Sequence, residues 1–338
     1  MPPLALTLGE PAGIGPEISL ALWARRHTLG VPTFIAVGDP ALLASRARLL
    51  KLDVPLAECA ADEAAARFAT ALPVVPVGIA ATAAPGKPDR TSAAAARAAI
   101  DRAVELAAAG KVSAIVTNPI AKSVLYEAGF EFPGHTEYLA ALAAKQSGTR
   151  PRPIMMIWSE ELAVVPATIH VPLEDVPTLL NVDLIVETGR IVARELVRRF
   201  GIARPRLAIC ALNPHAGEEG HFGREEIEII RPAIARLAKE GIDASGPHPA
   251  DTLFHPAARK RYDVAIGMYH DQVLVPIKAI AFDRAVNVTL GLPFVRTSPD
   301  HGTAFDLAGS GRADPGSLLA ALKLAERLAK TEAAAANK

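Results

Sequence analysis

Residues 262–309, YDVAIGMYHDQVLVPIKAIAFDRAVNVTLGLPFVRTSPDHGTAFDLAG, hold the densest set of groups able to do chemistry. An apolar run from Tyr262 to Met268 reads as a buried strand and gives way to His270 and Asp271. A histidine and a carboxylate at the C-terminal tip of a strand stand where open α/β sheets bind their ligands. Lys278, Asn287 and Arg296 follow, each a polar group among hydrophobic neighbours. Asn287 and Thr289 share one face of the strand Val286–Leu290, with Val286 and Val288 on the other. Taken singly, these are a core histidine and solvated charges. Taken together, they fit an anionic small substrate, because arginine grips phosphate in a bidentate fork and lysine meets it as a point charge. Pro276 argues against one unbroken helix from His270 to Lys278.

Three histidines share one context. His170 follows a strand ending at Thr168, His215 one ending at Leu212, and His270 one ending at Met268. If those strands lie parallel in one sheet, the three imidazoles emerge on the same rim. Three neutral imidazoles with an open fourth position form a catalytic site for a zinc-like ion. The gaps of 45 and 55 residues match no metal motif, so unrelated histidines remain the competing reading. In FPGHTEYLAALAA (132–144), His135 and Thr136 begin a helix. There they could meet a phosphate or carboxylate, or Thr136 could simply cap the helix. Ser298, Asp300 and His301 are the residue types of a hydrolase triad, but they are crowded on one loop and G-x-S-x-G is absent.

These groups need strands and helices to hold them. Leu4–Leu8 is a strand running into GEPAGIGPEI (9–18), whose glycines do not follow G-x-G-x-x-G; an anion cradle and a tight strand–helix turn both remain open. Phe34–Val37 and Val112–Thr117 read as strands. Asp39 with Pro40 starts one helix, and Thr91 or Ser92 starts a long alanine-rich one that ends at Gly110. Further strands at 154–158, 162–168 and 206–212, a helix at about 183–200 and a last helix at 315–330 complete an α/β alternation. GPHPADTLF (246–254) reads as a loop bearing Asp251, and the EAAAANK tail reads as frayed. The length suggests two domains, 1–125 with 300–338 and 126–299. Lys plus Arg and Asp plus Glu stand at 36 each, which gives no electrostatic reason to expect nucleic acid or a membrane surface. Two cysteines exclude a disulfide scaffold, and no apolar run spans a bilayer. MPPLALTLGEPAG lacks the basic start of a signal peptide, so the expected location is the cytoplasm.

GEPAGIGPEI, PGHTEYL, the IHVPL around His170, LNPHAGEEGHFGREE, PADTLF, MYHDQ and VNVTLGLPFVRTSPDHGTAFDLAG together resemble one family over nearly the whole chain. That family is the 4-hydroxythreonine-4-phosphate dehydrogenases of pyridoxal phosphate (vitamin B6) biosynthesis. The resemblance implies an isocitrate/isopropylmalate-dehydrogenase-like α/β fold of two domains, with the active site in the interdomain cleft near a homodimer interface. It implies NAD(P)-dependent oxidation of a phosphorylated amino acid, 4-phosphooxy-L-threonine, at C3, with decarboxylation to 3-amino-2-oxopropyl phosphate. By motif, His170, His215 and His270 correspond to three ligands of one divalent ion (Zn, Mg or Co), the third supplied by the partner subunit. His135, Thr136, Lys278, Asn287 and Arg296 correspond to substrate contacts, with Lys278 also the candidate catalytic residue and Asp251 a candidate cofactor contact. After MYHDQ the run VLVPIKAIAFDRAVN departs from the family, where glycines are expected near Val273 and at Ala285. TNPIAKS around Lys122 departs as well. Sibling substrates are a phosphorylated four-carbon sugar acid or a cis-dihydrodiol carboxylate; a nicotinamide-free metal hydrolase or lyase is the reading from another class.

Overall fold

A computed structural model describes residues 1–132 and 134–336; Pro133 of the PGHTEYL motif and the terminal Asn337 and Lys338 lie outside the described residues. In chain order the strands are β1 (Leu4–Thr7), β2 (Phe34–Gly38), β3 (Leu56–Glu58), β4 (Leu72–Pro76), β5 (Ala114–Thr117), β6 (Ile154–Trp158), β7 (Ala163–Pro166), β8 (Arg206–Cys210), β9 (Asp243–His248), β10 (Val264–Gly267), β11 (Val286–Leu290) and β12 (Arg296–Pro299). The chain forms two compact units: 1–153 with 292–330, and 154–291 with 331–338.

In the first unit the strand order is β3-β4-β2-β1-β5-β12, and every pairing is parallel. Parallel strands are covered on both faces and so read as unbroken apolar runs. LALT of β1 and FIAVG of β2 are buried at every position. The long helix Arg90–Ala108 lays Ala99, Ile100, Ala103 and Val104 against Ile35, Val37 and Ile115. Its cap is Asp89, ahead of the expected Thr91 or Ser92: the Asp89 carboxylate accepts the Thr91 and Ser92 N–H groups at 2.8 and 3.1 Å. The expected Asp39 cap forms, accepting Ala41 N–H at 2.8 Å. The glycine-rich turn is a braced strand–helix connection. Gly9 has φ +69°, and a Cβ there would stand 2.4 Å from the Pro119 carbonyl oxygen. Arg46, 2% exposed, donates to the Gly13 and Pro11 carbonyls at 3.0 Å each and lies 3.6 Å from buried Glu17.

In the second unit the order is β11-β6-β7-β10-β8-β9. β11, β6 and β7 run antiparallel in turn, while β7, β10, β8 and β9 are mutually parallel. Ile157, Val164, Ala208, Cys210, Val273 and Ile277 form its core.

Several expectations need correction. The helix His270–Ala281 runs straight through Pro276. Proline removes one N–H and crowds the carbonyl four residues back. Against that cost, Val273, Leu274, Ile277 and Ala281 are buried, and Gln272 ties the helix start to Met268 N–H and the Ala211 carbonyl, both at 2.7 Å. Residues 246–248, expected in a loop, belong to β9, and Ala250–Leu253 is a helical turn. The last helix extends through Ala336 instead of fraying at 332. Residues 126–153 and 292–299 lie with the first unit, where Tyr138 and Leu139 join its core and β12 pairs with β5.

Candidate functional site

β7 and β8 flank β10, all three parallel, so the segments bearing His170, His270 and His215 leave the sheet from the same strand ends. Pairing continues past the strands: Ala167 N–H donates to the Gly267 carbonyl at 2.8 Å, and Thr168 Oγ1 donates to the Met268 carbonyl at 2.8 Å. This draws the two following histidines together, their ring centres 5.6 Å apart. A cavity of about 290 Å³ opens there, lined by Thr168, His170, Val171, Tyr269, His270 and Asp271 among others.

The donor chemistry of this pair would suit a borderline divalent ion such as zinc. His270 Nδ1 lies 2.7 Å from Asp271 Oδ1. A proton held there leaves Nε2 as the lone-pair donor, the arrangement in which a carboxylate fixes a ligating imidazole. His170 has φ +50° and His215 φ +53°, left-handed backbone that a β-branched or bulky residue rarely adopts and that clusters at working sites. His215 begins a run of such residues through Glu219. Its ring lies 6.5 Å from that of Phe222. Among the described residues, no group of three His, Cys, Asp or Glu side chains is gathered to hold a metal within one chain. The rings of His170 and His270 meet, and among the described residues His215 is not gathered with them.

Lys278 lies on the His270–Ala281 helix, its Nζ 5.3 Å from the centre of the Phe282 ring. Asn287, on β11, is half-buried and pairs across to Ile157, with Thr289 on its face fully buried. Asp251 is exposed on the turn Ala250–Leu253.

The first unit holds a separate cationic group. Arg296, 3% exposed on β12, donates from Nη2 to Thr117 Oγ1 at 2.6 Å. Burial pulls its pKa down to about 10, with Glu137 acting the other way. His135 is the first residue of the helix His135–Ser147. Desolvation, then Arg296 and Lys122, hold its pKa well below 6.5, so it is neutral at pH 7. Its Nε2 is buried and finds no hydrogen-bond partner among the described residues. Gly134 is the N-cap and offers no side chain, so Thr136 sits inside the helix and the capping alternative fails. Lys122, given no role from sequence, reaches this place: a Cβ built on Gly134 would stand 3.6 Å from its Nζ. Its only sequence signal was a cation beside Asn118-Pro119, with nothing to link it to Gly134. Arg296, His135 and Lys122 near this helix start are groups of the kind that could hold an oxyanion.

The family model for pyridoxal phosphate biosynthetic protein PdxA matches residues 31–325. The chain belongs to this family. A 4-hydroxythreonine-4-phosphate dehydrogenase of Xanthobacter autotrophicus is 63% identical over 331 residues, covering 98% of this chain and 95% of the relative. A crystal structure of the enzyme of that name from Klebsiella pneumoniae superposes with TM-score 0.84 at 36% identity, covering 97% of this chain and 100% of the other. A terephthalate 1,2-cis-dihydrodiol dehydrogenase from Burkholderia xenovorans is more distant, with TM-score 0.66 at 28% identity, covering 96% and 98%. No helix among the described residues is long and apolar enough to cross a membrane.

Proposed function

We propose that this chain oxidises 4-phosphooxy-L-threonine at C3 with NAD or NADP, and that the resulting 3-oxo acid loses carbon dioxide to give 3-amino-2-oxopropyl phosphate. The observation that carries this reading is identity of 63% across nearly the full length of a relative of that name. The dihydrodiol dehydrogenase is the weaker match on both identity and superposition.

His170, His215 and His270 would hold one divalent ion, with imidazole donors favouring zinc or cobalt over magnesium. These residues would hold an ion whose charge would stabilise the substrate's hydroxyl oxygen, and a bound nicotinamide would supply the hydride acceptor. Arg296, His135 and Thr136 would bind the phosphate or carboxylate end, His135 as a neutral donor whose orphaned Nε2 awaits a partner. Lys278 and Asn287 would orient the reacting end, with Lys278 the candidate for moving a proton. Asp251 remains a candidate cofactor contact.

We further propose a homodimer in which one imidazole of each site comes from the partner copy. Large apolar side chains lie bare on the segments that carry the three histidines: Leu173 at 67%, Phe222 at 54%, Val275 of the helix that His270 begins at 63% and Phe282, just past the end of that helix, at 76%. A partner copy covering these side chains would remove them from water, which supports the dimer reading. The test is turnover of 4-phosphooxy-L-threonine, a four-carbon sugar acid phosphate and a dihydrodiol carboxylate with each nucleotide, with and without chelator. Metal-dependent reduction of the nucleotide by the first substrate alone supports the reading. Turnover that needs no nucleotide would replace it with a hydrolase or lyase.

A further inference from the structure

We propose that Glu226 is the positioning residue of His215, a buried carboxylate that holds the left-handed turn presenting that imidazole. His215, Ala216, Gly217, Glu218 and Glu219 have φ of 53°, 55°, 75°, 41° and 53°. Only one of the five is glycine, so the turn persists because something outside it over-determines the backbone. Glu226, 1% exposed, is placed to do this. Its Oε1 accepts two successive backbone N–H groups, Leu212 at 2.9 Å and Asn213 at 2.8 Å, where the chain leaves β8. Its Oε2 accepts Asn213 Nδ2 at 3.1 Å, and that same amide donates to Glu225 Oε2 at 2.7 Å.

The far side of the turn closes on the same carboxylate. A Cβ on Gly217 would stand 2.5 Å from Glu226 Oε2, and one on Gly223 2.3 Å from Asn213 Nδ2. Both glycines are therefore required by the approach of this clamp as well as by their positive φ. Glu226 also opens the single turn of π-helix Glu226–Ile230, a departure from α geometry that often accompanies functional positions. With three donors on its two oxygens and almost no exposure, Glu226 is not itself a ligand. It acts through His215.

This inference rests on the reading of His215 as a metal ligand, and the experiment separates the two. Zinc ion alone is titrated against full-length wild type, Glu226→Ala, Glu226→Gln and His215→Ala, with thermal midpoint and amide exchange of residues 212–219 recorded in parallel. Glu226→Gln keeps an acceptor for the two backbone groups but turns an amide toward the Asn213 amide, so it serves if the alanine variant does not fold. A positioning role predicts zinc affinity about 10- to 100-fold weaker in a folded Glu226 variant, with faster exchange at 212–219. A lowered midpoint with wild-type zinc affinity and unchanged exchange would reduce Glu226 to an ordinary packing residue and overturn the proposal. If His215→Ala binds zinc as wild type does, the ligand assignment falls. The clamp is then judged by exchange alone, upheld by acceleration at 212–219 and refuted by its absence.

Discussion

The imidazoles of His170 and His270 lie 5.6 Å apart, centre to centre, across a hundred residues of intervening chain. Their proximity follows from sheet register. Pro166 of β7 is paired with Gly267 of β10, the ladder continues through Ala167 and Thr168, and both histidines are then released from the same end. A one-residue slip would turn the Thr168 hydroxyl and the alternating buried side chains to the wrong face.

The cations beside His135 in the first unit predict its protonation behaviour. Its pKa is depressed by desolvation and by Arg296 and Lys122, so the unfolded chain takes up this proton more readily than the folded one. Stability from this group is therefore complete above about pH 6.5 and is lost as pH falls below it. In an NMR titration, Lys122→Gln should move the His135 pKa upward, and inorganic phosphate should move it upward in wild type. No change in Lys122→Gln would remove Lys122 from the group, and no change with phosphate would count against an anion bound there.

Arg199 should be among the most stability-critical charges of the second unit. At 1% exposure it lies 3.0 Å from Glu195, itself 1% exposed, and 3.3 Å from Glu332. Removing one partner of a buried pair leaves an uncompensated charge, so Arg199→Ala should cost about 3–5 kcal/mol. Urea denaturation checks this, and a loss under about 1 kcal/mol would mean that the network is worth no more than a surface pair.

Pro276 offers a test in the other direction. Because the helix already continues past it, Pro276→Ala should restore a donor and a better helix former, stabilising by up to about 3 kcal/mol. A lower thermal midpoint would show instead that the ring's packing outweighs the missing bond.

What the sequence disclosed and what it hid have physical causes. Buried parallel strands such as LALT and AIVT announce themselves as apolar runs, and three histidines each placed after such a run pointed to one rim. Strand β9 was missed because DASGPH is polar, contains proline and lies at a sheet edge, where neither burial nor pattern is demanded. Pro276 misled because its local cost was weighed without the four buried side chains that offset it. The nearness of Lys122 to Gly134 and the grip of Glu226 on Asn213 are tertiary facts with no periodic signature. Likewise, the placement of 126–153 with the first unit depends on Tyr138, whose hydroxyl meets Asp101 and Arg97 on the long helix.

The most direct measurement concerns ligands drawn from two copies of the chain. His215→Ala and His270→Ala proteins, each expected to lose zinc on its own, are mixed, dissociated and reassembled. If His215 and His270 reach a site from opposite subunits, random hybrids regain about a quarter of the wild-type sites, since half of the dimers are mixed and each carries one intact site. Zinc stoichiometry and turnover should then rise together to that level. A mixture as empty and inactive as either parent would contradict a shared three-histidine centre.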